Sequence, residues 1–248
     1  MASFTLAIAQ SQSERGDIAG NVAHHLSFVE LAAEQGAQFV QFPELSLTGY
    51  ELDIAAEMAL TGDEPVLAPL REQATRLGIA VLVGVPLTVV GGKPQLATLA
   101  FMPDGTLLHY AKQYLHGDEC LHFQPGAADL LLNLGDQRLA LAICADTNRP
   151  EHAARAAEAG ATLYSAGVLF SERGYAADST QLQRYAADHR MLVAMANHGG
   201  PTGGWSSAGR SAIWNPRGEL LVAAENTGPM LLLASLDDIE WRGRAIGL

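Results

Sequence analysis

Short apolar runs alternate along the chain with stretches in which apolar residues recur at every third or fourth position. The first pattern predicts half-buried or fully buried strands, and the second predicts amphipathic helices. Residues 4–10 (FTLAIAQ) read as a strand. Residues 20–35 read as a helix with Val22, Leu26, Val29 and Ala33 on one face. Residues 37–42 return to strand and stop at Pro43. A helix over 63–77 precedes strands at 79–87 and 95–102, and Pro103-Asp104-Gly105 turns the chain into a strand at 106–112. Strands at 128–134 and 137–144 flank Gly135-Asp136. Then come a helix at 150–159, a strand at 161–166, a helix at 175–189 and a strand at 191–196. Strands at 207–214, 219–225 and 229–236 complete the series, with an Asn-Pro-Arg-Gly turn at 215–218. Hairpins mixed with strand–helix–strand units predict a layered α/β fold with mixed sheets. No repeat, low-complexity stretch or linker divides the chain, so one domain over 1–248 is expected. The tail 237–248 (DDIEWRGRAIGL) shows neither period and is expected to cross a partner subunit or end on the surface.

Composition narrows the class. Apolar residues make up 48% and charged residues 17% of the 248, which is the balance of a globular core and not of a disordered chain. No apolar run approaches the roughly 20 residues of a membrane span. The start, MASFTLAIAQSQSERGD, has no basic segment before its apolar residues and is expected to be a first strand and not a signal peptide. Two cysteines make no disulfide framework, so a reduced, cytoplasmic setting is expected. A net charge of −12 argues against nucleic acid or an anionic membrane as partner.

Three reactive side chains each sit where a predicted strand stops. Cys144 ends the run LALAIC, just before a turn and a helix opened by Pro150 and Glu151. Backbone N–H groups of that turn would favour a thiolate and would also face an oxyanion formed by its attack on a carbonyl. Glu44 follows FVQFP among apolar neighbours, where desolvation raises a carboxyl's pKa toward that of a general base. Lys112 ends TLLHYAK, placed to stabilise negative charge. Taken singly, each has a plainer explanation: a core thiol, a loop carboxylate, a surface lysine. Taken together, they put a nucleophile, a base and a cation at strand ends, where α/β sheets collect their sites.

In the contexts FPELSLTGY, YAKQYLHGDE and ICADTNRPE, the order Glu, Lys, Cys resembles the nitrilase-like carbon–nitrogen hydrolase superfamily. Glu44 and Lys112 lie 68 positions apart, and Lys112 and Cys144 lie 32 apart. The likeness runs from FTLAIAQ through FMPDGTLLHYAKQYL to MANHGG and GRSAIWNPRGELL. The resemblance implies a four-layer αββα sandwich that forms homodimers or larger homo-oligomers. It implies Cys144 as nucleophile, Glu44 as general base and Lys112 as the cation on the tetrahedral intermediate. It further implies Glu119 as a second site carboxylate and the Ala145 N–H as an oxyanion donor. The implied reaction cleaves a small amide or carbamoyl compound through a thioester, with no cofactor and no metal. Asp146 and Glu151 are expected to support the turn. Where many amidases of the group carry an arginine and an aromatic, the chain has Thr147, Asn148 and Arg149, so no carboxylate-bearing substrate is implied.

Tyr50, Trp205 and the 168–175 stretch are candidate pocket walls, and Arg173 and His198 candidate contacts for polar substrate parts. The HGDECLH segment holds His116, Asp118, Cys120 and His122, but its spacing is not that of paired zinc ligands; it reads as the loop carrying Glu119, with the histidines structural or lining the pocket. HGGPTGGW lacks the Gly-Lys-Ser/Thr of a phosphate-binding loop and reads as a loop near the site. Nitrile hydrolysis, acyl transfer to an acceptor other than water, and a silent binding protein on the same scaffold remain as alternatives.

Overall fold

The computed structural model describes residues 4–248. Two sheets face each other, with helices on both outer faces. The first sheet contains β1 (Phe4–Gln10), β2 (Phe39–Gln41), β3 (Ala80–Leu87), β4 (Gln95–Phe101) and β5 (Leu107–Ala111). It also takes in β12 (Met230–Asp237) and β13 (Glu240–Gly247), in the order β13-β12-β1-β2-β3-β4-β5. The second sheet contains β6 (Leu131–Leu134), β7 (Gln137–Ile143), β8 (Leu163–Val168), β9 (Leu192–Asn197), β10 (Ala212–Trp214) and β11 (Leu220–Ala223), ordered β11-β10-β9-β8-β7-β6. Strands β1–β3 and β7–β9 pair in parallel, and the outer strands pair antiparallel. Helices α1 (Ile18–Glu34) and α2 (Ala68–Leu77) cover the first sheet. Helices α4 (Pro150–Glu158) and α5 (Tyr175–His189) cover the second, and a single turn, α3 (Glu119–His122), lies apart from both.

The period-2 pattern of each strand builds this sandwich. In β1, Leu6 and Ile8 enter the core between the sheets, while Ala7 and Ala9 pack under α1. In β7, Leu139 and Leu141 face inward, while Ala140 and Ala142 meet α4 and α5. Both faces are buried, as expected for parallel strands with helices outside.

The structure redraws two parts of the sequence reading. The expected strand at 207–214 is reduced to Ala212–Trp214. The tail is not loose: β13 pairs antiparallel along β12 from Asp237↔Glu240 to Met230↔Gly247, and Trp241 meets Phe4 edge-on. Its side chains are mostly exposed, so its hydrogen-bonded partner places it, and no hydrophobic face announces it.

Candidate active site

The strands β2, β5, β7, β8 and β9 all end on one side of the sandwich. Their next residues build the site.

Glu44 sits two residues beyond Phe42, in a loop pressed between the sheets. Gly84 of β3 permits this: a Cβ there would lie 2.3 Å from the Leu45 nitrogen and 2.5 Å from the Pro43 oxygen. Gly167 of β8 does the same from the other sheet, with Phe42 O only 2.8 Å from where its Cβ would be. Leu45, next to the carboxylate, takes φ 50°, a strained value for a branched residue. Helix α1 braces the loop from behind. The buried His25 ring stacks on Phe42 at 3.9 Å and hydrogen-bonds to Ser46 Oγ at 2.9 Å, while Asn21 Nδ2 donates to Leu47 O at 3.0 Å.

Lys112 follows the last residue of β5 and is completely buried. Its Nζ donates to Glu44 Oε1 at 2.6 Å and to Glu119 Oε1 at 2.7 Å. Glu119, also fully buried, accepts further bonds from Tyr50 OH at 2.6 Å and the His116 N–H at 2.7 Å. Glu44 Oε2 has no nitrogen or oxygen partner among the described residues.

Cys144 opens a 3-10 turn, Cys144–Asn148, directly after β7. Its φ is 43°, so the nucleophile candidate sits in the left-handed region that non-glycine residues rarely occupy. Asp146 holds this turn onto the strand that carries Lys112. Its Oδ1 accepts from the Gln113 and Tyr114 N–H groups at 3.0 and 2.9 Å, and its Oδ2 from Tyr110 OH at 2.7 Å and the Ile143 N–H at 3.0 Å. Tyr110 then meets His152 Nε2 at 2.8 Å, and His152 Nδ1 meets Tyr164 OH at 2.9 Å. One carboxylate thus ties the cysteine turn to the lysine strand, the structural part expected of Asp146.

The electrostatics follow from burial and pairing. Burial pushes the Glu44 carboxyl up, Lys112 pulls it down and Glu119 pushes it up again, leaving it at about 7. Burial works against the Lys112 ammonium, but Glu44, Cys144 and Glu119 outweigh it and hold the group firmly protonated. The Cys144 thiol is pushed well above its ordinary value by burial first and by Glu44 second. This differs from the resting thiolate that the turn alone suggested. Burial and the adjacent carboxylate exceed what the backbone and Lys112 provide, so a thiol stands beside a carboxyl of nearly neutral pKa.

Glu44, Glu119, Cys144, Ala145, Tyr50 and Trp205 line one cavity of about 240 Å³. Sequence reasoning named all six. His198 lies elsewhere. It is fully buried, and its Nε2–H donates to the Glu44 carbonyl at 2.7 Å. Burial lowers its pKa to about 4, so it is a neutral prop behind Glu44 and not a contact on the cavity wall. Arg173 is exposed and is not part of the lining. The 168–175 stretch does supply wall, as Leu169, Phe170, Ser171 and Gly174. Asn197, at the end of β9, fixes Phe170 by accepting from its N–H at 2.9 Å and donating to its O at 3.0 Å. Asn148 and Asp178 also line the cavity, and sequence reasoning did not single them out as walls; His116 lines it too, one of the two places the sequence reading left open for the HGDECLH histidines. They approach from a turn, a helix and a loop that no local pattern joins.

An αββα sandwich with a cysteine and a buried carboxyl facing one cavity at its strand ends points to a hydrolase of carbon–nitrogen bonds. Residues 5–242 match the carbon–nitrogen hydrolase family model, and the chain belongs to that family. It is 31% identical over 229 residues to the hydrolase in the pqqF 5′ region of Pseudomonas protegens, a match covering 89% of this chain and 78% of that one. It is 25% identical to the glutamine-dependent NAD(+) synthetase of Aquifex aeolicus across 98% of this chain, but spans only 46% of that protein. Among solved structures, an amidase from Nesterenkonia sp. AN1, bearing the acetamide moiety of fluoroacetamide on its active-site cysteine, superposes with a TM-score of 0.87. That pair shares 28% identity over 95% of this chain and 91% of the other. A further structure of the same amidase, with its cysteine replaced by alanine, holds butyramide, at 27% identity and the same TM-score.

Proposed function

We propose that this chain hydrolyses the C–N bond of small amides, with Cys144 as nucleophile and a thioester as intermediate. The observation that carries this reading is the meeting of Cys144 and Glu44 on one cavity, with a fully buried Lys112 behind it bridging Glu44 and Glu119 at 2.6 and 2.7 Å. Support comes from the amidase structures above, whose cysteine bears an amide-derived group or gives way to bound butyramide.

The steps follow from the geometry. Glu44 takes the thiol proton as Sγ attacks the amide carbonyl. A pKa of about 7 lets one carboxyl both accept that proton and return it to the leaving nitrogen. The tetrahedral oxyanion forms opposite Lys112 Nζ and the Ala145 N–H. These donors are fixed before reaction, one by its ion pairs and the other by the Asp146-braced turn. Ammonia or an amine departs and leaves a thioester on Cys144. Glu44 then activates water, which releases the acid and restores the thiol. Glu119 touches Lys112 and Tyr50 and acts by positioning them. Tyr50, Phe170 and Trp205 form the aromatic part of the cavity wall. We place the enzyme in the cytoplasm as a homo-oligomer, consistent with two free cysteines and with no membrane-spanning helix among the described residues.

The test is ammonia release from butyramide and a panel of small amides, carbamoyl compounds and nitriles, with Cys144→Ala beside wild type. Cys144-dependent release from amides is the expected result. Release that survives Cys144→Ala, or Cys144-dependent turnover of nitriles alone, would refute the reading.

A further inference from the structure

The cavity wall is one-sided in charge. Its charged or ionisable lining residues are Glu44, Tyr50, His116, Glu119, Cys144 and Asp178, and no arginine or lysine among the described residues lies on the surface it presents. The two glutamates are each ion-paired to the one ammonium of Lys112. Asp178 is not. It stands in the first turn of α5, half-buried, and its carboxylate makes no salt bridge or side-chain hydrogen bond among those of the described residues. Gly174, also in the wall, makes room for it: a Cβ on Gly174 would come within 2.9 Å of Asp178 Oδ2. Burial raises the carboxyl's pKa, with His116 pulling weakly the other way, as expected of an acid deprived of solvent and given no counter-ion. An acidic residue in a first helical turn is favourable anywhere around that turn. The helix dipole therefore explains an aspartate here but not its approach to the reaction cavity. A neighbouring cleft shares Tyr50 and Trp205 with the cavity and continues the negative sign with Glu51, Asp53 and Asp118. Arg15 pairs with the first two, and Asp118 has no such partner among the described residues.

We infer that the cavity selects small amides whose far end carries an ammonium or similar cation, with Asp178 as its counter-ion, and discriminates against amides that end in a carboxylate. This specificity rests on the amide-hydrolase reading above. The chemistry is direct: a carboxylate-ended substrate would place like charges together in a partly desolvated wall that presents no arginine or lysine among the described residues. A cationic end would instead meet an acid that is already partly desolvated.

Two experiments separate this inference from the reading it rests on. The first compares kcat/KM for 4-aminobutyramide, butyramide and succinamate. The expected order is cation, neutral, anion. Asp178→Asn should lower the cation-to-neutral ratio roughly five- to tenfold, as a half-buried ion pair allows, and Asp178→Glu should preserve it. The second needs no amide turnover. In a Cys120→Ser background, Cys144 is labelled with methanethiosulfonates carrying a trimethylammonium or a sulfonate group. The net charge of −12 favours the cation everywhere, so the readout is the change in the rate ratio on Asp178→Asn. A fall of about fivefold is expected. A ratio indifferent to Asp178→Asn in labelling, or a wild type that prefers succinamate, overturns the inference. A labelling ratio that falls while no amide is hydrolysed leaves Asp178's role standing and rejects amide hydrolysis instead.

Discussion

Lys112→Met removes the ammonium from between two buried carboxylates and leaves most of the side-chain stem in place. The wild-type Nζ lies 2.6 Å from Glu44 and 2.7 Å from Glu119, and all three side chains have at most 1% exposure. Breaking a buried pair by removing one partner costs about 3–5 kcal/mol, because the charge left behind has neither water nor counter-ion. The carboxyls escape that cost by holding protons. Losing an opposite charge at this distance raises a carboxyl's pKa by roughly 1–3 pH units, so Glu44, already at about 7, would be mostly protonated at neutral pH. The variant loses its base and an oxyanion donor together, and a single such donor is worth about 10²–10³-fold in kcat. We expect kcat/KM at pH 7 to fall more than about 10³-fold, with the acid limb of the pH–rate profile moved upward. The stability loss also has a sign. Carboxyl pKa values raised in the folded state make it bind more protons than the unfolded chain, so the deficit should shrink as pH falls from 8 toward 5. Amide turnover across pH and urea unfolding at pH 8 and 5 read both effects. Activity within tenfold of wild type, an unmoved acid limb, or a deficit that grows on acidification would refute the reasoning.

Wild-type kcat/KM for a neutral amide should rise with pH through about 7, because Glu44 must be ionised to accept the thiol proton; a profile flat from pH 5.5 to 8 would contradict that role. Gly84→Ala should cut kcat at least about 100-fold with the fold retained, since its Cβ would meet the Leu45 and Ser46 nitrogens and displace the Glu44 loop; circular dichroism and turnover together check it. Asp146→Ala should lower both Tm and activity, because it strands two strand-end N–H groups, the Ile143 N–H and Tyr110 OH; ordinary unfolding with full turnover would count against the brace.

The parts of the fold that hydrophobic spacing dictates were legible. Each run that buries one side against the other sheet and one against a helix announced its strand, and the three reactive residues showed themselves by standing where such runs stop. β13 was not legible, because Trp241, Arg242, Gly243 and Arg244 carry no burial pattern and their order comes from pairing with β12. His198 looked like a substrate contact because it sits at a strand end. Only the packing shows its ring turned onto the Glu44 carbonyl. Arg173 had the right chemistry, but its neighbours Gly174 and Asp178 face the cavity in its place. The thiol's upward shift comes first from burial under the rest of the fold and then from Glu44, a residue 100 positions away, and no reading of the cysteine's own turn contains either.

The central claim is that Cys144 carries the acyl group, and trapping that group tests it most directly. Wild-type protein mixed with excess butyramide and acid-quenched during turnover, then measured by intact-mass and peptide mass spectrometry, should show a butyryl group on the peptide containing Cys144. The group should be absent in Cys144→Ala and should decay in step with the appearance of butyrate. Full turnover with no adduct at any quench time, or an adduct on Cys120 in place of Cys144, would contradict the account.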